Sequence, residues 1–266
     1  MLSSTILIVG HSHTVCVTEA LQARSQHWAA PRGLRARVVN LVKFMPTLGL
    51  TISDMLLSDK LGPPQLRPEV VIEIQRHIVP GSRVYVVSMM SGNVHNHMGL
   101  MRAPIPFDFV LPNAPELPIE EGAQVIPYSA MSACLEQRLR YDRRTLEALR
   151  REFSGVILHM ESPPPPSDDA HVVQWLGVMR ELNTSADIVS AALRYKLWCL
   201  HSTLMKRFCH ELGIIFVEAP TEACDAQGFL ARQAYQDATH ANAWFGSRQL
   251  RQIEAVVMLD QFESAA

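Results

Sequence analysis

Five short apolar runs, rich in β-branched residues, recur along the chain and are separated by segments with helical periodicity. A short continuous run of this kind indicates a strand that is buried on both faces. Strands that alternate with helices indicate a parallel sheet with helices packed on both sides. The five runs are residues 5–9, 36–42, 83–88, 155–160 and 213–217. The sequence therefore predicts an α/β protein with a five-stranded parallel sheet.

Helical patterns fill the intervals between these runs and follow the last one. The clearest cover residues 68–77, which begin with a proline, 134–153, 186–212 and 242–260. The chain has 266 residues and 48% apolar content, which is enough to bury a substantial core, and no linker divides it. We therefore expect a single domain over residues 1–266.

One segment, at about residues 98–133, breaks the alternation. It is rich in proline and has no sustained period. A long connection of this kind is either an excursion over the carboxyl edge of the sheet, serving as a lid or substrate-binding loop, or an irregular surface insertion. We expect it to lie over the active-site edge.

Charge and cysteine usage narrow the class of partner. The formal net charge of −2 does not favour nucleic acid or an anionic membrane surface, and no stretch approaches the roughly 18 apolar residues of a membrane span. The amino terminus lacks the basic region of a signal peptide. The five cysteines are scattered and include no C-x-x-C pair, which fits reduced thiols rather than a disulfide framework or a zinc site. We expect a cytoplasmic protein with a small-molecule partner; the sequence does not indicate an oligomeric state.

Ser12 stands between the first predicted strand and a helical pattern that follows at once. Gly10 allows the sharp turn that this connection needs. Open α/β sheets bind their ligands at the carboxyl ends of the strands, which is where this hydroxyl falls. A serine in this position is either a helix N-cap or a group available for chemistry.

Asp237 and His240 lie three residues apart, just before the last helix. At that spacing a carboxylate can accept the Nδ1 proton of the histidine within a single turn. The bond fixes the tautomer and leaves Nε2 free to act as a base. The alternative is an N-cap aspartate beside an incidental surface histidine.

Two further residues follow predicted strands at the same edge. Asn93 comes after the third run, where its side-chain amide can donate toward a developing oxyanion. Gly49 follows the second run and can expose a backbone N–H as another donor. Each also has an ordinary interpretation, since asparagine and glycine are both common in turns.

Serine, glycine, asparagine and D-x-x-H occur here in that chain order, and 240–246 reads H-A-N-A-W-F-G. This arrangement resembles the SGNH (GDSL-type) hydrolase family over nearly the whole chain. The resemblance implies a flavodoxin-like three-layer α/β/α sandwich that cleaves acyl, acetyl, lipid or carbohydrate esters without a metal or other cofactor. It also implies roles for Ser12 as nucleophile, His240 as general base and Asp237 as the residue that orients His240.

The same resemblance implies an oxyanion hole formed by the Ser12 and Gly49 backbone N–H groups and the Asn93 side chain. The sequence departs from the family pattern in two places. His11 stands where the family usually has aspartate, and Ser91 and Val94 replace the usual glycine and acidic residue around Asn93. These departures leave open a non-catalytic binding protein that keeps the fold.

Histidines crowd the predicted site: His11 and His13 flank Ser12, and His95 and His97 follow Asn93. Imidazole pairs suit zinc, iron or nickel, which leaves a His-rich metal-binding variant as a further alternative. No acidic or cysteine ligand has matching spacing nearby, so we predict no metal site. We interpret these four histidines as possible substrate contacts.

Overall fold

The computed structural model describes residues 3–27, 33–57, 62–90, 92–180 and 188–264. Its strands are β1 (Ser4–Gly10), β2 (Leu34–Asn40), β3 (Arg83–Met89), β4 (Phe107–Asp108), β5 (Gln124–Val125), β6 (Val156–Met160) and β7 (Ile215–Val217). Its helices are α1 (Thr14–His27), α2 (Leu41–Phe44), α3 (Pro68–Arg76), α4 (Val94–Gly99), α5 (Tyr128–Arg138), α6 (Arg140–Glu152), α7 (Asp169–Arg180), α8 (Ala191–Glu211) and α9 (Ala243–Glu263). Ser91 lies outside the described residues.

The main sheet has five parallel strands in the order β2-β1-β3-β6-β7. This is the flavodoxin-like order, in which the chain reverses direction across the sheet between β1 and β3. β1 is buried along its whole length and pairs with both neighbours over seven residues. The carboxyl ends of β1 and β3 therefore flank the crevice where such sheets bind ligands.

Alternate residues of β1 point to opposite faces, as the strand period requires. Leu7 and Val9 pack into one core cluster, which α3, α5, α6 and α8 cover, whereas Ile6 and Ile8 pack into a second, covered by α1 and α9. The predicted three-layer α/β/α sandwich is confirmed. None of the helices in the described ranges is long and apolar enough to cross a membrane.

The predicted strands differ from the observed ones at their ends. The run at residues 36–42 extends too far, because Leu41 already belongs to α2. The Asn40 side chain caps the N-terminus of α2 by accepting a hydrogen bond from the Lys43 N–H. The run at 213–217 begins too early, since Gly213 has φ of +63° and terminates the turn after α8.

The predicted helix at residues 134–153 is wrong as a single element. It is two helices, α5 and α6, which break at Leu139, where ψ is 1° rather than helical. The helix predicted at 186–212 begins only at Ala191, behind a Ser190 N-cap; its first two predicted residues lie outside the described ranges. The last helix extends to Glu263, three residues beyond the prediction.

The proline-rich excursion is folded into the structure. Phe109 and Leu111 enter the first core cluster, and β4 pairs with β5. Asp108 forms an ion pair of 2.8 Å with Lys196 of α8, and both side chains are completely buried. The Asp108 carboxylate also accepts the Phe109 and Glu120 N–H groups. These contacts attach the excursion to α8; its position over the active-site edge stays a prediction.

Replacing Lys196 by methionine is expected to lower the free energy of unfolding by about 3–5 kcal/mol, because it leaves the Asp108 carboxylate buried without a counter-ion. Lys206→Met is the matched control on the same helix. Its ion pair with Glu218 is exposed at both ends and should contribute less than about 1 kcal/mol. Urea unfolding of both variants measures the difference; equal destabilisation would contradict the assigned role of the buried pair.

Candidate active site

Ser12 lies in the tight turn that joins β1 to α1. The turn is shaped by the Thr14 N–H and hydroxyl, which both donate to the His11 carbonyl, and by the Val15 N–H, which donates to the Ser12 carbonyl. The Ser12 hydroxyl is directed toward another segment of the chain. Its Oγ lies 2.8 Å from His240 Nε2, across 228 residues of sequence.

His240 is held by Asp237 on its other nitrogen. Its Nδ1 lies 3.0 and 2.9 Å from the two carboxylate oxygens of Asp237. A carboxylate only accepts hydrogen bonds, so Nδ1 carries the proton and Nε2 presents a lone pair to the Ser12 hydroxyl. The structure thus joins Ser12, His240 and Asp237 in one hydrogen-bonded chain.

The Asp237 carboxylate is stabilised in its charged form. Partial burial alone would raise its pKa, but hydrogen bonds from the His240 ring and from the Thr239 and His240 amides outweigh burial and lower the pKa to about 2. The carboxylate therefore remains ionised at neutral pH. The ionised carboxylate accepts the hydrogen bond from His240 Nδ1 and holds the imidazole ring in place.

A residue that the sequence did not single out supports this loop from outside. His171 of α7 has Nε2 3.2 Å from the backbone carbonyl of Asp237, and its ring packs against Tyr235 at 4.8 Å between centroids. His171 lies 66 residues before Asp237 and belongs to no local motif with it, so no signal in the sequence links the two.

The segment H-A-N-A-W-F-G at residues 240–246 has structural roles here. The Asn242 side chain caps α9 by accepting from the Trp244 N–H, and its amide donates to the carbonyls of Gln233 and Tyr235. A Cβ on Gly246 would collide with the Cys16 carbonyl, so this glycine allows α9 to approach α1 closely. Together these residues fix the loop that carries His240.

The Ser12 hydroxyl faces a cleft of about 230 Å³. The cleft is lined by residues from two segments, namely Ser12, His13, Val15, Glu19, Gln236, Asp237, His240 and Ala241. A larger cavity of about 690 Å³ lies at the opposite, amino edge of the sheet, beside Arg83 and Gly155. Sheets of this type bind their ligands at the carboxyl edge, so the smaller cleft is the candidate site.

Comparison with solved structures finds similar proteins at low sequence identity and with TM-scores below 0.5. A carbohydrate acetylesterase from Sinorhizobium meliloti is 12% identical with a TM-score of 0.46, covering 97% of this chain and 99% of that one. An aryl esterase of M. smegmatis is 11% identical with a TM-score of 0.42, covering 98% and 99%. The periplasmic domain of a lipopolysaccharide acetyltransferase from Salmonella ser. Paratyphi A is 10% identical with a TM-score of 0.44, covering 96% and 84%.

No protein-family model matches the sequence, and no curated protein is significantly similar to it. Identities and TM-scores as low as those of the three structures do not establish an activity. Function therefore has to be inferred from the chemistry of the site itself.

Asn93 joins the site through His13. Its Oδ1 lies 3.2 Å from His13 Nε2 and accepts a hydrogen bond of 3.0 Å from the Asn96 side chain. His13 lines the cleft beside Ser12, and its ring packs against that of His240 at 4.9 Å between centroids. The structure thus connects Asn93 to Ser12 and His240 through one intervening imidazole.

Gly49 does not fit the predicted role. It ends the short 3-10 turn Met45–Leu48 with φ of +70°, and its N–H donates to the carbonyl of Pro46 within that turn. A backbone N–H that is already bonded in its own turn is not available to an oxyanion. The glycine is used here for its left-handed conformation, so this assignment is corrected.

The four predicted substrate-contact histidines occupy different environments. His11 Nε2 lies 3.4 Å from the Met55 sulfur, and burial lowers its pKa to about 4. His95 is buried against His201, and burial together with neighbouring histidines lowers its pKa well below 6.5. His97 is exposed on α4. Within the described ranges, no group of three or more His, Cys, Asp or Glu side chains could hold a metal ion.

Proposed function

We propose that this protein is a serine hydrolase that cleaves esters, in the manner of the SGNH hydrolases that its motifs resemble. One observation carries the proposal, namely the chain from Ser12 Oγ through both nitrogens of His240 to the Asp237 carboxylate. A hydroxyl is a weak nucleophile until a base removes its proton. His240 Nε2 is within hydrogen-bond reach of that proton, which is the first geometric requirement for a general base.

In this mechanism Ser12 Oγ bonds to the ester carbonyl carbon while its proton passes to His240 Nε2. The tetrahedral intermediate collapses as the bond to the alcohol oxygen breaks, and that oxygen takes the proton from His240. Water then attacks the acyl-serine with the same assistance, which releases the acid and restores Ser12. Asp237 stabilises the imidazolium that forms in each half-reaction without taking its proton.

Two donors are proposed to stabilise the oxyanion. The Ser12 backbone N–H is one, and the Asn93 Nδ2 amide is the other, because Asn93 Oδ1 is already occupied by Asn96 and His13. Gly49 is left out, since its N–H is bonded to Pro46. Donors of this kind accelerate the reaction because they are positioned before charge develops on the oxygen.

Asn93→Ala is expected to lower kcat for ester hydrolysis by about a hundredfold or more while changing KM little, because it removes one oxyanion donor. Steady-state kinetics on an ester that the wild type hydrolyses measures both constants. An unchanged kcat, in a variant with the wild-type melting temperature, would exclude Asn93 from the oxyanion hole.

The size of the cleft favours a short acyl group. Pockets for drug-sized ligands usually have volumes of roughly 300–1,000 Å³. The 230 Å³ beside Ser12 is below that range. We therefore propose small acetyl-like groups rather than long lipid chains as the acyl part of the substrate. We propose an acetylated small molecule or carbohydrate in the cytoplasm as the substrate.

A panel of nitrophenyl esters from acetyl to octanoyl, together with acetylated sugars, tests this proposal. We expect hydrolysis that declines with acyl length and is unaffected by EDTA. Ser129→Ala, which alters an exposed serine on α5, is the control for Ser12→Ala. If no ester in the panel is hydrolysed above the Ser12→Ala background, the result would favour a non-catalytic binding protein.

A further inference from the structure

His13 stands at the centre of the candidate site, although the sequence suggested for it only a possible contact with substrate. The residue is 7% exposed, so little of its ring faces solvent. Its ring packs against the ring of His240, and its Nε2 meets the side chain of Asn93. It therefore contacts two of the groups on which the proposed mechanism depends.

The partners of Asn93 determine the direction of the His13 hydrogen bond. Asn93 Oδ1 accepts from the Asn96 amide at 3.0 Å, which identifies that atom as the carbonyl oxygen. A carbonyl oxygen only accepts, so His13 must donate from Nε2 across 3.2 Å. With its oxygen held by two donors, the Asn93 amide can present only Nδ2 to another group.

Close packing holds the His13 ring in this position. A Cβ on Gly92 would overlap the Cδ2 and Nε2 atoms of His13, so the absence of a side chain at residue 92 makes room for the imidazole. Gly92 immediately precedes Asn93. The same turn thus positions the acceptor and provides the space for its donor.

We propose that His13 is a positioning residue that fixes the Asn93 side chain, through the Nε2–H to Oδ1 hydrogen bond, so that Asn93 Nδ2 is directed at the oxyanion. This inference rests on the proposed function, because it needs an oxyanion at Ser12. It assigns His13 a part in acyl transfer without contact to substrate.

The charge state of His13 supports this role. Burial, together with the neighbouring His240, lowers the pKa of His13 to about 3. A neutral ring can remain 4.9 Å from His240 while His240 becomes an imidazolium during the reaction. A second positive charge at this distance would oppose that step.

Two substitutions separate positioning from packing. His13→Gln keeps an N–H donor at the same number of bonds from Cα as imidazole Nε2, and His13→Leu keeps apolar volume without a donor. We expect His13→Leu to lower kcat by about tenfold to a hundredfold with KM within about twofold of wild type, and His13→Gln to recover most of the loss. A raised KM with unchanged kcat would instead identify His13 as a substrate contact.

A double-mutant cycle tests whether His13 acts through Asn93. In the Asn93→Ala background, we expect His13→Leu to lower kcat by less than about threefold more, because the group that it positions is already gone. If the loss of kcat in the double variant equals the product of the two single-variant losses, the proposal is overturned. If His13→Leu does not fold, His13→Gln in the wild-type background tests the proposal: kcat near the wild-type value is expected, and a loss of about tenfold in a folded His13→Gln variant would overturn it.

Nitrogen-15 NMR of the histidine side chains provides a readout that does not need activity. We expect His13 to remain in the Nε2–H tautomer from pH 5 to pH 8 in the wild type, and its Nε2 signal to shift in Asn93→Ala. Titration of His13 near pH 6.5, or an Nδ1–H tautomer, would overturn the inference. If the His13 nitrogen signals behave as expected but Ser12 is inert toward every ester and phosphonate, the proposed function is wrong. The hydrogen bond between His13 and Asn93 is then still supported.

Discussion

Replacing Ser12 by alanine is expected to lower kcat for ester hydrolysis by about 10⁶-fold, the scale of loss seen when a serine protease loses its nucleophile. His240→Ala should cost about as much, since the hydroxyl then has no base within reach. The double variant should be no worse than either single variant, because the two residues act as one unit. This lack of additivity distinguishes a shared nucleophile and base from two independent binding residues.

Steady-state and single-turnover kinetics on the best short-chain ester measure these losses. Ser129→Ala, exposed on α5, should retain wild-type kcat. A Ser12→Ala variant that keeps more than about a tenth of wild-type kcat would contradict the role of Ser12, provided that its melting temperature matches that of the wild type.

The second large effect is a loss of stability at acidic pH. His13, His95 and His159 are buried with exposed fractions of 7%, 3% and 2%, and burial lowers the pKa of His13 and His159 to about 3 and that of His95 well below 6.5. Unfolding restores a pKa near 6.5, so below that pH the unfolded chain binds more protons than the folded chain. The free energy of unfolding should therefore fall as the pH drops from about 6.5 toward 3.

Each of these buried histidines contributes up to about 1.4 kcal/mol per pH unit to that slope. Urea unfolding at pH 7, 6 and 5 measures it. His159→Asn, which keeps a polar atom near the Ser88 hydroxyl that His159 contacts, should reduce the slope by about one proton. His210→Asn, at the exposed end of α8, should leave it nearly unchanged. Stability that is constant from pH 7 to pH 5 would contradict neutral burial of these rings.

The sheet and the hydrogen bonds among Ser12, His240 and Asp237 follow from sequence signals combined with the topology of a parallel sheet. β1, β3, β6 and β7 are largely apolar runs, whereas β2 carries Arg35 and Arg37, and the parallel arrangement places the ends of β1 and β3 side by side. Asp237 and His240 are close along the chain, so their hydrogen bond follows from spacing alone. Ser12 and His240 meet because the β1 turn and the loop before α9 lie at the same edge of the sheet.

Other features depend on contacts that no local pattern encodes. Gly49 matched a family position by order, but the hydrogen bond of its N–H to Pro46 depends on the details of a 3-10 turn. The break at Leu139 interrupts an otherwise good helical period. The buried pair of Asp108 and Lys196 joins segments 88 residues apart, which is why a proline-rich excursion could not be identified in advance as part of the core.

The histidines illustrate the same limit most clearly. Sequence spacing placed four imidazoles near one crevice, but only side-chain packing distinguishes them. His13 donates to Asn93, His11 meets a methionine sulfur, and His97 is exposed. The direction of a side chain in a turn is set by tertiary contacts rather than by the number of residues between neighbours.

Labelling with a fluorophosphonate, read by intact mass and peptide mapping, tests the central claim most directly, because the reagent phosphonylates a serine, with loss of fluoride, only when a base activates its hydroxyl. We predict one adduct per chain, located on Ser12, which is retained in Ser129→Ala and lost in Ser12→Ala and His240→Ala. An unlabelled wild-type protein from pH 6 to pH 9, or an adduct on a residue other than Ser12, would contradict the assignment of Ser12 as the nucleophile.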